Sequence, residues 1–180
     1  MNFDEIKLFI SDIDGVWTDG SIYIGTNGME FKQFTVLDGV GVAAARAAEI
    51  KIALISARFS PATEHRAKDL QIDDVYNGGL NKLPAFEDLK SKYSLCNDEI
   101  AYIGDDLIDI PIMEKVGLPI TVPNASPEVK AISKHITSVA GGDGAFREAL
   151  FWIIEKKGRT KQVMQKMKEM VLNSSSTFIG

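Results

Sequence analysis

The sequence predicts an α/β fold in which a mainly parallel sheet is covered by helices on both faces. Short apolar segments alternate with helix-prone segments along the chain, and such alternation produces right-handed crossovers between parallel strands. The apolar segments are continuous rather than alternating, as expected of strands buried on both faces. Several of them end in aspartate, serine or glycine, and ligands of such sheets bind at the carboxyl ends of the strands.

Length and composition limit the class of protein. The 180 residues suit one domain, which we place at residues 1–160, followed by a C-terminal helix and flexible tail at 161–180. Lys and Arg number 20 against 25 Asp and Glu, and the net charge of −5 disfavours a nucleic-acid partner. The single cysteine, Cys96, allows no internal disulfide and favours a reducing compartment.

The sequence shows no sign of export or of membrane insertion. The N-terminus lacks the basic start and apolar run of a signal peptide. The longest uncharged stretch, 116–127, is too short to cross a bilayer. We therefore expect a cytoplasmic protein without a membrane partner.

The expected strands are apolar runs that end at glycine, proline or acidic residues. Five of them are expected to form the main sheet, at 7–11, 51–56, 75–76, 100–103 and 118–122. The first leads directly to Asp12 and Asp14. The last contains Pro119, which lacks a backbone N–H, so we expect that strand at an edge. A separate hairpin is indicated at 22–24 and 30–36, because the Gly-Thr-Asn-Gly sequence between them favours a tight turn.

The expected helices follow from alanine-rich or amphipathic segments and from their end signals. Pro61 suits the first turn of one helix, and Gly117 suits the end of another. Six helices are expected, at 39–49, 61–70, 81–93, 107–116, 145–157 and 161–172. The serine-rich segment 173–177 is expected to be a flexible tail.

Three strand ends and one loop carry polar side chains that a parallel sheet would gather at one edge. These residues are Asp12, Asp14, Ser56, Arg58, Lys82, Asp105, Asp106 and Asp109. Crowded carboxylates repel each other unless a cation lies between them, and Mg²⁺ prefers such oxygen ligands. The two histidines, His65 and His135, lie far apart in the sequence and provide no zinc site or serine–histidine triad.

The Asp12-Ile13-Asp14 spacing suits phosphoryl transfer. In an extended segment the two carboxyl groups point the same way. One carboxylate beside Mg²⁺ can attack a phosphoryl group and form an aspartyl-phosphate, because the metal neutralises the charge of the phosphate. The second carboxyl can protonate the leaving oxygen and then deprotonate the attacking water. A serine hydroxyl and a lysine ammonium can hold the phosphate oxygens.

Four segments, in order along the chain, resemble the motifs of the haloacid dehalogenase superfamily. The sequence Asp-Ile-Asp-Gly-Val-Trp-Thr-Asp-Gly at 12–20 resembles the first motif, Ser56 the second, Lys82 the third, and Gly-Asp-Asp-Leu-Ile-Asp at 104–109 the fourth. Over residues 6–155 the chain is similar to the capless sugar-acid phosphatases of the 3-deoxy-D-manno-octulosonate 8-phosphate phosphatase family. Further matching stretches are 38–41, 56–58, 101–106 and 141–148. The resemblance implies a three-layer Rossmann-like fold with a β-hairpin insert.

The resemblance also implies a role for each candidate residue. The catalytic residues would be Asp12 as nucleophile, Asp14 as general acid/base, and Ser56 and Lys82 as holders of the phosphate. The metal ligands would be Asp12, the main-chain carbonyl of Asp14, and Asp105. Asp106 would orient Lys82 or bind the metal through water, and Asp109 would cap its helix, bind the fourth-motif loop or touch the metal. The substrate-binding residues would be Arg58, as partner of a carboxylate, and Arg66, while Arg147 fits a structural ion pair equally well.

The function implied is a magnesium-dependent phosphatase for 3-deoxy-D-manno-octulosonate 8-phosphate, with a place in lipopolysaccharide biosynthesis. A nine-carbon acid 9-phosphate is an alternative substrate. Relatives that act on nine-carbon acids tend to carry an acid at the position of Arg58 and a lysine at the position of Asp69, which favours the eight-carbon substrate here. The sequence at 14–20, however, resembles that of the nine-carbon group. A catalytically silent assembly module is another alternative. A signalling receiver domain is disfavoured, because the strand at 75–76 ends without a phospho-acceptor acid.

The spacing of the motifs leaves no room for a cap domain. The gaps 15–55 and 57–81 hold only the hairpin and a few helices and strands. A capless subunit leaves its site open to water, and the resemblance implies a homotetramer in which the hairpin and C-terminal tail of neighbours cover each site. Apolar hairpin residues fit that role: Ile22, Tyr23, Ile24, Phe31 and Phe34.

Overall fold

The computed structural model describes residues 2–173 and contains one six-stranded parallel sheet and one short hairpin. The strands are β1 (Leu8–Ser11), β2 (Tyr23–Ile24), β3 (Glu30–Phe31), β4 (Lys51–Ser56), β5 (Asp74–Asn77), β6 (Ile100–Gly104), β7 (Leu118–Thr121) and β8 (His135–Ile136). The sheet order is β5-β4-β1-β6-β7-β8, and every neighbouring pair is parallel. All four residues of β1 are buried, as in a strand covered on both faces. The predicted parallel α/β architecture is confirmed.

The helices connect successive strands and cover the sheet. They are α1 (Val36–Ala48), α2 (Pro61–Asp69), α3 (Leu83–Tyr93), α4 (Ile110–Met113), α5 (Pro127–Ile132), α6 (Ala145–Lys156) and α7 (Thr160–Asn173), with 3₁₀ turns at Phe3–Glu5, Asn97–Glu99 and Leu107–Asp109. Helix α1 packs against α6 and α7, and α3 packs against α4. No helix within residues 2–173 combines the length and apolar character needed to cross a bilayer.

The prediction that the strand with Pro119 lies at an edge is wrong. β7 lies between β6 and β8, because the two residues of β8 pair with Ile120 and Thr121. The Pro119 carbonyl accepts a hydrogen bond from the Lys134 N–H at 2.9 Å, so the proline faces the β8 side just before that pairing begins. Since β8 is so short, the missing N–H of Pro119 removes no bond from the ladder.

Several boundaries differ from the prediction. α1 begins at Val36 rather than 39, because Thr35 caps its first turn by accepting the Leu37 N–H at 3.2 Å. The segment predicted as one helix at 107–116 is a 3₁₀ turn followed by the single turn of α4. β8 and α5 were not expected, and β3 ends before the predicted 36. Residues 174–180, most of the predicted tail, lie outside the described residues, and the division at residue 160 stays a prediction.

An aromatic cluster ties the loop after β1 to the rest of the core. Trp17 and Phe9 pack on Phe146 of α6 with ring centroids 4.5 and 5.1 Å apart. The indole N–H of Trp17 donates to Ser11 Oγ at 2.9 Å, which satisfies its buried polar atom. The chain just after β1 is therefore anchored to the core.

The described chain has no cap domain between its strand ends. Within residues 2–173, the segment from β1 to β4 holds only the β2–β3 hairpin and α1, and the segment from β4 to α3 holds only α2 and β5. Within the described residues, the hairpin is the only element of these segments that contacts Asp14 and Arg58 beyond the strand ends.

Candidate active site

The site lies at the carboxyl ends of three adjacent strands. Asp12 directly follows the central strand β1, and its N–H donates to the Ile103 carbonyl of β6 at 2.9 Å. Ser56 is the last residue of β4, and Asp105 follows β6. Because β1 pairs with both of these strands in parallel, the three residues meet at one edge of the sheet. They line a cleft of about 260 Å³ together with Asp14, Arg58 and Asp106.

Lys82 lies beneath this cleft between two carboxylates. Its ammonium is 2.9 Å from Asp12 Oδ1 and 2.7 Å from Asp109 Oδ1, and its side chain is 1% exposed. Burial alone would lower the pKa of Lys82, but the charges of Asp12 and Asp109 raise that pKa above its ordinary value. Lys82 is therefore a fixed cation directly beside Asp12.

Asp109 organises the loop after β6 with both of its oxygens. Its Oδ1 receives Lys82 and the Tyr102 hydroxyl, the latter at 2.5 Å. Its Oδ2 accepts the backbone N–H groups of Asp105 and Asp106 at 3.0 and 3.2 Å. Because four donors occupy this carboxylate, it fixes the positions of its neighbours rather than presenting free oxygens to a ligand.

Three carboxylates converge closely enough to hold a cation. One oxygen each of Asp12, Asp105 and Asp109 lies within 4.8 Å of the others. Burial raises the pKa of Asp12 well above its ordinary value, and the charge of Asp109 adds to that rise. Burial and the Asp109 charge likewise raise the pKa of Asp105 to about 7. A divalent cation would relieve this crowding, and the all-oxygen donor set fits Mg²⁺.

Gly15 brings the first loop close to this group. Its φ of +89° is left-handed, and a Cβ on it would lie 1.9 Å from Asp105 Oδ2. Its carbonyl accepts from Asn124 Nδ2 at 3.2 Å, and Asn124 Oδ1 accepts the Gly141 N–H at 2.9 Å. Only glycine fits at position 15, and the backbone just after Asp14 therefore lies against the Asp105 carboxylate.

Asp14 faces the hairpin rather than the carboxylate group. Lys32, just after β3, donates to Asp14 Oδ1 at 2.6 Å and to Oδ2 at 2.8 Å. The Lys32 side chain is 1% exposed, whereas that of Asp14 is 26% exposed to the cleft. The Asp14 side chain is thus held on the hairpin side of the cleft.

The second strand end contributes a hydroxyl and a guanidinium. Ser56 Oγ accepts the Arg58 N–H at 3.3 Å and donates to the Arg58 carbonyl at 2.9 Å. The Arg58 guanidinium forms an ion pair with Glu30 of β3. Although burial opposes it, hydrogen bonds from Ser60 and Arg58 lower the pKa of Glu30 below its usual range. The hairpin therefore supplies a carboxylate that pairs with the Arg58 charge.

Three further candidate residues have side chains outside the Asp12–Lys82–Asp109 network. Arg66 donates to the Thr35 carbonyl at 3.1 Å, between α2 and the start of α1, and it is absent from the lining of the cleft. Asp106 is exposed, and its side chain accepts the Leu107 N–H at the start of a 3₁₀ turn. Arg147 donates its backbone N–H to Asp38, and its side chain lies over Phe151.

The sequence reasoning missed four residues that the structure brings to the site. They are Glu30, Lys32, Tyr102 and Asn124. Glu30, Lys32 and Asn124 meet partners far away in the sequence, and no local pattern marks them. Tyr102 carries a usable signal, because a tyrosine in a fully buried strand needs a hydrogen-bond partner near that strand.

The fold and this arrangement define a haloacid dehalogenase-like hydrolase. A family profile with that description matches residues 40–148, and the chain belongs to this family. The predicted family and fold are thereby confirmed.

Three similar proteins carry the same name, 3-deoxy-D-manno-octulosonate 8-phosphate phosphatase. The 3-deoxy-D-manno-octulosonate 8-phosphate phosphatase of Escherichia coli K12 is 43% identical over 156 residues, which cover 87% of this chain and 83% of that protein. The structure of the same phosphatase from Yersinia pestis superposes with a TM-score of 0.86 at 38% identity, covering 89% and 86% of the two chains. The Moraxella catarrhalis phosphatase, solved with magnesium, phosphate and 3-deoxy-D-manno-octulosonate, gives a TM-score of 0.87 at 36% identity, covering 92% and 95%.

Proposed function

We propose that this chain is a magnesium-dependent phosphatase that hydrolyses 3-deoxy-D-manno-octulosonate 8-phosphate to the free sugar acid and phosphate. The observation that carries the proposal is the buried Asp12 carboxylate, which faces the Lys82 ammonium at 2.9 Å within a group of three carboxylates. A buried carboxylate beside a fixed cation and a metal site suits attack on a phosphoryl group. The substrate follows from the names of relatives 43% and 36% identical to the chain.

Asp12 is the nucleophile of the first step. One of its oxygens attacks phosphorus, the bond from phosphorus to the sugar oxygen breaks, and the phosphoryl group becomes attached to Asp12 as an aspartyl-phosphate. Asp14 gives its proton to the departing oxygen, so that the sugar leaves as a neutral alcohol. The Ser56 hydroxyl and the Lys82 ammonium hold the phosphoryl oxygens.

Water completes the second step. Asp14, now a carboxylate, takes a proton from water as the water oxygen attacks phosphorus. The bond between phosphorus and Asp12 breaks, and inorganic phosphate is released. The Asp12 carboxylate and the Asp14 proton are both restored, so the cycle can repeat.

Asp12, Asp105 and the main-chain carbonyl of Asp14 are the residues that would hold Mg²⁺. Asp109 keeps the Asp105 loop in place through two backbone N–H groups. Mg²⁺ held there would neutralise negative charge on the phosphate, so that the anionic Asp12 could approach it. Burial and the Asp109 charge raise the pKa of Asp105 to about 7 although Lys82 opposes the rise, and a cation bound at Asp105 would offset that cost.

Arg58 is the residue assigned to the carboxylate of the sugar acid. Its side chain is 39% exposed on the cleft, where a guanidinium can bind a carboxylate with two hydrogen bonds. The basic residue at 58 and the acid at Asp69 favour an eight-carbon acid, because nine-carbon relatives carry the opposite charges at these positions. Arg66 of α2, whose side chain donates to the Thr35 carbonyl at the start of α1, is assigned to the substrate as well.

The protein is also proposed to be a cytoplasmic homotetramer. Apolar side chains of the hairpin are exposed in the single chain: Tyr23 49%, Ile24 67%, Met29 52% and Phe31 56%. A surface of this kind indicates a protein contact, and a neighbour there would cover the open side of the cleft. The molar mass from light scattering tests this, and a fully active monomer would contradict it.

The direct test is phosphate release from three esters, with Mg²⁺ and with chelator. The esters are 3-deoxy-D-manno-octulosonate 8-phosphate, a nine-carbon sugar-acid 9-phosphate and p-nitrophenyl phosphate, which has no carboxylate. We expect Mg²⁺-dependent turnover with kcat/KM at least about tenfold higher for the eight-carbon ester. Arg58→Met should raise KM about tenfold for the sugar acid and leave that for p-nitrophenyl phosphate unchanged.

Two results would overturn parts of this proposal. Preference for the nine-carbon ester would keep the mechanism and change the substrate. No turnover of any ester would remove the enzymatic function and leave the assembly module as the better interpretation.

A further inference from the structure

The hairpin brings two charged side chains to residues that line the cleft, one from the start of β3 and one from just after it. Glu30 and Lys32 are two positions apart, so they lie on the same face, and Phe31 between them is 56% exposed on the opposite face. Glu30 reaches Arg58, and Lys32 reaches Asp14. The hairpin thus contacts both sides of the cleft within its own subunit.

The Lys32 ammonium is enclosed where it meets Asp14. The Lys32 side chain is 1% exposed, and its ammonium bonds both Asp14 oxygens, at 2.6 and 2.8 Å. A charge removed from water this far needs a partner of opposite charge, and Asp14 supplies it. Two bonds from one donor also fix the orientation of the carboxylate, whose side chain would otherwise rotate.

Asp14 needs such a restraint because its neighbours are acidic. Asp12, Asp105 and Asp106 line the same cleft, and like charges repel. The Lys32 ammonium supplies the opposite charge on the hairpin side of Asp14. The carboxylate is the form that Asp14 takes after the sugar has left, when it must accept a proton from water.

Building on the phosphatase function above, we propose that Lys32 is a positioning residue that holds the Asp14 carboxylate for hydrolysis of the aspartyl-phosphate. The second step of the reaction therefore depends on Lys32 through Asp14. Lys32 takes no proton and forms no bond to phosphorus, so the chemistry remains that of Asp12, Asp14 and water.

The test uses a substrate that isolates the second step. p-Nitrophenolate leaves without a proton from Asp14, so the first step on p-nitrophenyl phosphate is insensitive to the position of that residue. Lys32→Met should give a rapid burst of nearly one nitrophenolate per active site, followed by a steady rate at least about tenfold below that of the wild type. Gln33→Met, at the adjacent exposed position, is the matched control and should show no burst.

A double-mutant comparison separates positioning from hairpin stability. In the Asp14→Asn background, Lys32→Met should change the steady rate by less than about twofold, because the residue it positions is already disabled. Lys32→Arg keeps the charge, so its burst should be much smaller than that of Lys32→Met. The unfolding temperature of each variant shows whether the fold persists, and if Lys32→Met does not fold, Lys32→Gln takes its place.

Three outcomes would overturn the proposal. An equal loss in the wild-type and Asp14→Asn backgrounds would make Lys32 purely structural, and a raised KM at unchanged kcat would make it a substrate ligand. A wild-type protein inactive on every ester would instead remove the phosphatase function and this role with it. If the wild type is active and Lys32→Met causes the same loss in both backgrounds, only the role of Lys32 is overturned and the phosphatase function stands.

Discussion

The Lys82 ammonium nitrogen lies 2.9 Å from Oδ1 of Asp12, at the centre of a network buried beneath the cleft. Asp109 closes the network from the other side at 2.7 Å. α3 supplies Lys82 at its N-terminal boundary, and β1 supplies Asp12 at its carboxyl end. One cation thereby supports two buried carboxylates, which ties the stability of the metal-free protein to the groups that perform its chemistry.

Replacement of Lys82 should weaken both the fold and the activity. Lys82→Met leaves Asp12 and Asp109 buried without their cation, and breaking a buried ion pair in this way costs about 3–5 kcal/mol. Urea unfolding should show this loss, and phosphate release should fall at least about a hundredfold. Lys90→Met on the same helix is the control, because its pair with Glu87 is partly exposed and is worth less than about 1 kcal/mol. Equal stability of the two variants would contradict the network described here.

Removal of the Asp105 carboxylate should stabilise the metal-free protein and greatly reduce its response to Mg²⁺. Burial and neighbouring charge raise the pKa of Asp105 from 3.8 to about 7, so its ionisation opposes folding. The folded state retains this proton while the unfolded chain has lost it. Stability therefore falls as the pH rises from about 4 to about 7, and the full cost is present at pH 8.

Thermal unfolding at pH 8, with Mg²⁺ or with chelator, measures both effects. Asp105→Asn should be more stable than the wild type in chelator, by up to about 4 kcal/mol. Mg²⁺ at a hundred times its Kd should stabilise the wild type by about 2.7 kcal/mol and the variant by much less. Asp106→Asn, at the adjacent exposed position, should keep most of the Mg²⁺ response. A full response in Asp105→Asn would exclude Asp105 as a ligand.

Asp38 gives a pH-dependent test away from the cleft. This residue is fully buried in the first turn of α1, and burial raises its pKa to about 6 despite the Arg147 N–H that it accepts at 3.1 Å. The folded state keeps the proton between pH values of about 4 and 6, where the unfolded chain has lost it. The cost of the charge therefore grows over this window and is complete above it.

Asp38→Asn should remove that cost and keep an acceptor for the Arg147 N–H. The variant should be more stable than the wild type by about 2 kcal/mol at pH 7.5, and the difference should shrink toward zero near pH 4. Urea unfolding at a series of pH values measures the difference. A less stable variant at pH 7.5 would mean that attraction between Asp38 and the Arg66 and Arg147 side chains outweighs its burial.

The sequence predicted the features that depend on local pattern. Buried strands followed by polar residues placed Asp12, Ser56 and Asp105 at one edge, because the carboxyl ends of parallel strands meet there. The edge position predicted from Pro119 was wrong, because the missing N–H of a proline excludes a neighbouring strand only where that strand reaches it. β8 has two residues and no sequence pattern of its own, so its short length could not be predicted.

The contacts that the sequence could not predict are long-range. Lys32 meets Asp14, and Glu30 meets Arg58, only because the hairpin folds back over the cleft. That geometry is set by tertiary packing rather than by spacing along the chain. The motif alone leaves three roles open for Asp109, and the four donors around its carboxylate, which include the distant Lys82, favour the role of holding the loop after β6.

Phosphate release by the Asp12→Asn variant tests the central claim most directly. Asparagine keeps the shape of the side chain and removes its nucleophilic oxygen, so the fold should persist. With 3-deoxy-D-manno-octulosonate 8-phosphate and Mg²⁺, the wild type should turn over, and the variant should be slower by more than about a thousandfold. Chelator should abolish the activity of the wild type. A folded Asp12→Asn variant that retains a substantial part of the wild-type rate would contradict an aspartyl-phosphate on Asp12.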